Sequence, residues 1–533
     1  MVSPVTHENS KLYYKDVDIT KDLRVMTNRK FPHLFAFVSV GLWAGAAQAE
    51  MSPEDTWAHI VSQAEASNYL VYASTSKDGD ELTVSDIVFG IDDPVAGFSL
   101  KFEVGDWHFI PQSDGSVRLN MAEDARWDLK FRDTDGERVE IDVAQINKDS
   151  FVIFDREGDE IRSDYEWDSL RLDLLKVTNE GEEIGKDQLQ FSLTLNDISG
   201  SNAFHQSDFN VSNGSTKISA AWIDLNVAPK EEDFRASWRS SLNDIVLSST
   251  SQTLDDASLK DLEKAMRLGM NSAVTYRHGR GQTELRFSGE DGDAVISSSS
   301  DGGRTSVDLS KLGMNFLTEM SDWDISFMGS LFPMSFDASL GALAYGMSLP
   351  IVASEEEQKL GLRIELEDIS ISDSVWDIFD PIRVFDRDLM TVKFDVSGLM
   401  RLLTDYTSFD VEDADDIGAF QEAAEVNSLM IKSLMLSALG ASAQVQGEFS
   451  FDNSDYNTFD GIPRPEGSVR LTMKGVNALL DKLSNSGLIG SEEVMGARMV
   501  MGMFTVPVGR DELEAEFWID GNGGVYANGQ QIQ

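Results

Sequence analysis

Cysteine is absent from the 533 residues. That excludes disulfides, zinc-thiolate centres, iron-sulfur clusters and thiol nucleophiles, and leaves the chain to be held together by its own core. Cations are also scarce. The 44 Lys and Arg stand against 92 Asp and Glu, a formal net charge of −48. A field of that sign repels phosphate backbones, so no nucleic-acid partner is expected. Long apolar runs are missing too: no segment beyond residue 49 reaches the ~18 consecutive apolar residues that a membrane-spanning helix needs.

Histidine is sparse, with six in the whole chain. His59, His108, His205 and His278 each stand without a second His three or four residues away, so the His-Glu-x-x-His arrangement that holds zinc is missing. Gly279-Arg280-Gly281 and Gly521 to Gly524 lack the Lys-Ser or Lys-Thr ending of a phosphate loop, and no Gly-x-Ser-x-Gly elbow occurs. The acidic run Asp410 to Gly418 invites a calcium reading, but counting from Asp413 puts Ile417 and Ala424 where oxygen donors belong. That run reads as the solvated start of a helix. No catalytic, metal or cofactor site is expected, and the chain reads as no enzyme.

What the sequence does contain begins at Met26. A basic Met26-Thr27-Asn28-Arg29-Lys30 precedes the apolar stretch Phe31 to Trp43, and small residues follow through Ala49. Ala47 and Ala49 satisfy the Ala-x-Ala rule, so residues 26–49 read as a secretory signal cleaved before Glu50. The polar residues 1–25 sit ahead of the basic region and read as an extension upstream of the true start at Met26. Residues 50–533 form the mature chain, which is then periplasmic and free of a transmembrane anchor.

The mature chain opens with Ser52-Pro53-Glu54-Asp55, an N-cap, a proline at the first helical position and acids in the first turn. Trp57, Ile60, Val61 and Ala64 then follow at helical spacing. Afterwards the pattern alternates: Val139-x-Ile141-x-Val143, Leu170-x-Leu172-x-Leu174, Phe191-x-Leu193-x-Leu195 and Val392-x-Phe394-x-Val396. One wet face and one dry face imply antiparallel pairing, and Asp78-Gly79, Asp135-Gly136 and Asn522-Gly523 read as turns between strands. The fold expected is mainly β (α+β): a long, twisted, largely antiparallel sheet meander, elongated, with short helices packed on it.

Those helices are expected at Asp255–Asn271, Asp373–Asp380 and Asp413–Asn427, with a helix-rich insert near 475–505. In the insert, Ser491 is expected to cap a helix carrying Met495, Met499, Met501 and Met503. A helix so apolar is expected to be covered. A phrase also recurs, an aspartate followed by isoleucine, at Asp86, Asp197, Asp244, Asp324 and Asp368. Its irregular spacing excludes a solenoid and reads as repeated strand ends.

Phe451 to Asp455, Gly461-Ile462-Pro463-Arg464-Pro465, Gly475 to Asp481, Met495 to Met499 and Ala527 to Ile532 resemble the bacterial family called domain of unknown function 2125. Further motifs at Pro53 and at Ser374 to Pro381 extend the resemblance over the mature chain. It implies an exported envelope protein with no assigned activity and no catalytic residues to carry over. Two functions remain open from the residues: binding of a lipid or another hydrophobic ligand, or a structural or assembly role on another envelope protein. Arg464, stiffened by two prolines, reads either as an anion contact or as a turn cation paired with Asp455 or Asp460.

Overall fold

The computed structural model describes residues 51–66, 69–93, 97–132, 136, 138–206, 209–230, 233–254, 262–290, 292–330, 334–405 and 423–533. The expected signal with Ala47, Ala49 and Glu50, residues 1–25 and the acidic run 410–418 lie outside them.

Helix α1, Pro53–Ala66, starts as its sequence dictates. The Asp55 amide donates to Ser52 Oγ at 3.1 Å, and the Ser52 hydroxyl donates to Asp55 Oδ2 at 2.6 Å. Its rotation differs from expectation: Thr56, His59, Ile60 and Gln63 are buried. Trp57 instead meets Trp107 and Phe109 edge-on, both at 6.2 Å, an aromatic contact that sets the helix on the sheet.

The N-terminal strands are β1 Leu70–Asp78, β2 Glu81–Asp93, β3 Phe98–Val104, β4 Trp107–Pro111, β5 Val117–Asn120, β6 Asp124–Arg132, β7 Arg138–Lys148 and β8 Phe151–Glu157. Longer ones follow: β9 Glu160–Asn179, β10 Glu182–Ile184, β11 Leu189–Gln206, β12 Asn210–Val227 and β13 Phe234–Thr253. After the short helix α2, Leu262–Arg267, come β14 Asn271–His278, β15 Gly281–Gly289, β16 Ala294–Ser300, β17 Gly302–Ser310, β18 Gly313–Gly329, β19 Phe336–Leu349 and β20 Gln358–Ile371. Helix α3, Asp373–Phe379, precedes β21 Met390–Leu402, β22 Ala424–Ala438, β23 Ala441–Asp452 and β24 Arg464–Lys474. Helices α4, Val476–Asn485, and α5, Ser491–Phe504, lead to β25 Val506–Gly509, β26 Glu512–Ile519, β27 Val525–Ala527 and β28 Gln530–Gln531.

All these strands join one antiparallel sheet, so the mainly β, antiparallel architecture read from the alternation is the one observed. The meander is nested rather than simple. Long strands take two short partners end to end: β2 pairs with β3 and β4, β9 with β7 and β8, β13 with β14 and β15, and β18 with β16 and β17. The result is two tracks of pairing fused through the long strands.

Where the tracks meet, the backbone turns left-handed at aspartates: Asp86 at φ 55°, Asp197 at 47°, Asp244 at 51°, Asp322 at 46° and Asp368 at 53°. Aspartate tolerates this region because its short side chain bonds locally. The ladder skips the kink, passing from Asn196↔Ala220 to Ile198↔Ile218 and from Ala220↔Asn243 to Ile218↔Ile245. Four of the recurring Asp-Ile phrases therefore mark kinks inside long strands, not the strand ends expected; in the fifth, Asp322 takes the left-handed angle and Asp324 does not. The phrase looked like a strand end because the neighbouring short strands do end there.

The kink also preserves the dry face. Residues three apart in an unbroken strand point to opposite faces. Yet Leu195 and Ile198, Ala221 and Ile218, and Leu242 and Ile245 all pack in one cluster with Tyr165 and Trp167. A glycine is needed beside the kink: a Cβ on Gly341 would lie 3.0 Å from the Asp368 Cβ.

Three helix expectations change. The described part of Asp255–Asn271 is helical only over α2, where Met266 is fully buried, and Asn271 already begins β14. Residues 424–427, expected as helix, begin β22, where Ala424, Glu425 and Val426 pair with Leu402, Arg401 and Met400 of β21. Ser491 is the first residue of α5 rather than its cap, which falls on Gly490 with no side-chain bond.

Candidate binding face

The site is built from cross-strand pairs. One row runs Leu247↔Tyr276↔Thr305↔Thr318↔Tyr345↔Ile364↔Phe394↔Leu434↔Val445↔Leu471↔Ala515, each residue directly opposite the next. Two residues along each of the first seven strands, a second row runs Ser249↔Val274↔Val307↔Phe316↔Met347↔Leu362↔Val396 and continues through Ile431. Tyr276 belongs to the dry cluster at the seam, so these rows extend the dry face. They are not covered: Tyr345, Ile364 and Phe394 keep 37%, 36% and 39% of their surface exposed. Among the described residues, the helices with substantial contacts to strands are α1, on β1, β2 and β4, and α4, on β23.

The other face of the same strands is charged and paired. Arg363 donates to Glu365 at 2.7 Å and Glu319 at 3.3 Å, and Lys393 meets Glu367 at 2.7 Å. The Arg363 hydrogen bond holds the Glu365 carboxyl below the usual carboxylate range. One sheet thus presents a solvated ionic lattice on one side and exposed aliphatic and aromatic rows on the other. Monomeric soluble domains rarely leave such rows open without a use for them.

A cleft of about 750 Å³ crosses β12, β13, β15, β16, β18, β19 and β20 near Trp222, Thr283 and Ile325. Its wall is rich in hydroxyls: Ser240 and Thr283 share a hydrogen bond of 2.9 Å, and Trp323 Nε1 donates to Ser298 Oγ at 2.6 Å. The cleft mixes these hydroxyls with Ile223, Ile325, Ala338 and Ile371, and Ile223 and Ser240 stand two residues from Ala221 and Leu242 of the dry cluster, so the cleft belongs to the same face as the rows and carries its more polar part.

The scattered histidines are not brought together. His108 lies on β4 beside Thr83 Oγ1 at 3.1 Å, His205 lies on β11, and His278 on β14 contacts the Gly279 carbonyl at 2.7 Å. His59 is buried in α1, where burial first and the Arg156 charge second push its imidazole down to about 4. Among the described residues, no group of three His, Asp or Glu is placed to hold a metal ion. Arg464 is a turn cation: it meets Asp452 at 2.6 Å and Asp455 at 3.1 Å and donates to the Gly521 carbonyl. Asp455 was an expected partner; Asp452 is an additional one, held down to about 2 first by Ser454 and then by Arg464. Asp460 is not a partner of Arg464.

Helix α5 departs most from expectation. Of its residues only Val494 is buried, and Met495, Met499 and Met503 are 71%, 64% and 68% exposed. The expected cover is not there because the helix touches the sheet mainly at its end, where Phe504 lies 6.2 Å from Phe517. Helix α4 lies between, capped from outside by Asp511, whose carboxylate accepts from the Asn477 and Ala478 amides at 3.1 and 3.0 Å. Sequence reasoning missed this cap because Asp511 is 34 residues from Asn477.

No family model matches the chain, and no curated protein is similar to it. Among solved structures, a double mutant of the Serratia marcescens hemophore receptor HasR in complex with its hemophore HasA and heme is 8% identical, over 87% of this chain and 80% of that chain. The TM-score is 0.16, too low for the two architectures to be compared.

Proposed function

We propose that this chain is a non-enzymatic protein of the cell envelope that binds a lipid, or another hydrophobic ligand, along the dry face of its sheet. One observation carries the reading: the row from Tyr276 to Leu471 is apolar or aromatic except at the hydrogen-bonded pair Thr305 and Thr318, and it lies open to solvent at Tyr345, Ile364 and Phe394. Across the nine strands from Tyr276 to Leu471, at about 4.8 Å per strand, the face runs about 38 Å. That exceeds the ~30 Å hydrocarbon thickness of a whole bilayer, so the face accommodates more than one acyl chain end to end. The charged opposite face keeps such a carrier in water. The envelope location rests on the signal at Met26 to Ala49, and the resemblance to domain of unknown function 2125 agrees with it while assigning no activity.

Protein purified from its own cells should release lipid on organic extraction and show lipid-bound species by native mass spectrometry. Phe394→Asp should remove most of that lipid while leaving the circular dichroism spectrum in place. Wild-type protein that yields no lipid by either method overturns the reading. A second reading, a structural or assembly factor, draws on β1, whose residues are mostly exposed and whose outer edge has no partner strand among the described residues. Cross-linking in intact cells that captures one envelope protein at Tyr72 would favour it.

A further inference from the structure

We propose that the end of the molecule built by α3, α4 and α5 docks on a bilayer of zwitterionic lipid, and that ligand passes there between the bilayer and the dry face. This rests on the lipid-binding reading above. The three helices form one unit: Lys482 donates to Asp386, just beyond α3, at 2.6 Å, and Arg498 on α5 donates to Asp481 at 2.8 Å and to the Asn477 carbonyl at 3.1 Å. On this unit Met495, Met499 and Met503 recur every four residues, which places them on one stripe of α5. Together with Ile378 and Ile382, at 66% and 78%, they are more exposed than any large apolar residue of the strands.

Three further observations point to lipid as the occupant. The apolar surface is continuous: exposed Leu389 leads into β21, where Val392 pairs with Leu436, and both are exposed members of the dry face. Methionine, unbranched and polarizable, adapts to an irregular acyl surface. Arg510 stands in the turn after exposed Val506 and Val508 and makes no ion pair among the described residues, so it is available to a lipid phosphate. The net charge of −48 sets the headgroup: an anionic leaflet is repelled and a zwitterionic one is not.

Flotation of the full chain with phosphatidylcholine vesicles at physiological salt tests this. Wild type should float, and replacing a third of the lipid by phosphatidylglycerol should reduce the floated fraction severalfold. Met495→Ser, Met499→Ser and Met503→Ser combined should cut flotation at least tenfold and slow lipid uptake from vesicles severalfold, while lipid presented in detergent still binds the dry face. Arg510→Glu should weaken flotation severalfold, with amide exchange at Asn477 and Ala478 measured alongside to check the neighbouring Asp511 cap. Phe394→Asp should do the reverse, losing extractable lipid yet floating as wild type. A triple variant that floats as wild type, or a wild type that carries lipid but does not float, overturns the docking while leaving the lipid-binding reading standing. A wild type that instead forms a dimer abolished by the triple variant assigns the patch to a second copy and overturns it as well.

Discussion

Residues 51–161 and the strands from β19 to β24 follow the same alternating rule and reach opposite outcomes. In the first, Val84, Phe109, Val117 and Phe154 are completely buried, with Ile60 of α1 among them. In the second, Met400, Leu402 and Ala424 close a small core at one end of β21 and β22, but Ile364, Phe394 and Leu436 keep between 36% and 57% of their surface exposed. A sheet is apolar on one face in either case, and what differs is a second layer: α1 closes the first region, and no described helix closes the middle of the second. An apolar face becomes a core or stays open to solvent according to whether something covers it.

The largest test of this contrast compares two phenylalanines. Phe154→Ala should cost about 3–5 kcal/mol in urea unfolding, as expected for a closed core, whereas Phe394→Ala should cost about 1 kcal/mol. Equal losses would mean that the second region is covered after all. Next comes acid. The folded-state value of His59, about 4, lies below the ordinary 6.5, so the unfolded chain takes up the proton first. The corresponding stability is complete above pH 6.5 and is lost as pH falls toward about 4, by up to about 3 kcal/mol. Amide exchange in α1 should quicken over that window, and His59→Leu should flatten the profile; an unchanged profile in the variant would remove His59 as the cause.

Asp197→Val should destabilise by about 1–2 kcal/mol, since a β-branched residue resists the left-handed backbone, while Asp197→Gly should cost little. A Val variant as stable as wild type would mean that the seam does not require the kink. The smallest effect is expected at the exposed end: Asp511→Ala should cost about 1 kcal/mol and speed amide exchange at Asn477 and Ala478. Burial pushes the Asp511 carboxyl up, but the Ala478 and Asn477 amides outweigh it and hold the group below the usual range. The cap should therefore be fully present at neutral pH and weaken as acid protonates Asp511.

Much of this was legible along the chain. Alternation located the strands at Val139, Leu170, Phe191 and Val392, because period two is a local property that needs no partner to be read. The start of α1 was equally local, written in Ser52 and Asp55. The Asp-Ile phrase was visible as well, but its meaning was not: a kink and a strand end use the same residue type, and only the pairing of neighbours separates them. The proposed binding face was legible as a dry stripe and illegible as a site, since Phe394 alternates like any core residue. Exposure of Met495 and Met499 ran against the sequence expectation, because apolar composition measures the wish to be covered and says nothing about what is available to do it.

The sequence by itself therefore determined the class of the fold, the absence of cysteine chemistry and the acidic exterior, each of which follows from composition or short-range pattern. Tertiary structure decided which stretches of the dry face are closed, how the two tracks join at Asp86, Asp197, Asp244, Asp322 and Asp368, and which end of the molecule is left apolar to solvent. Those outcomes depend on contacts between residues far apart in the chain, such as Trp57 with Trp107 and Asp511 with Asn477, and no local pattern specifies a neighbour that distance brings together.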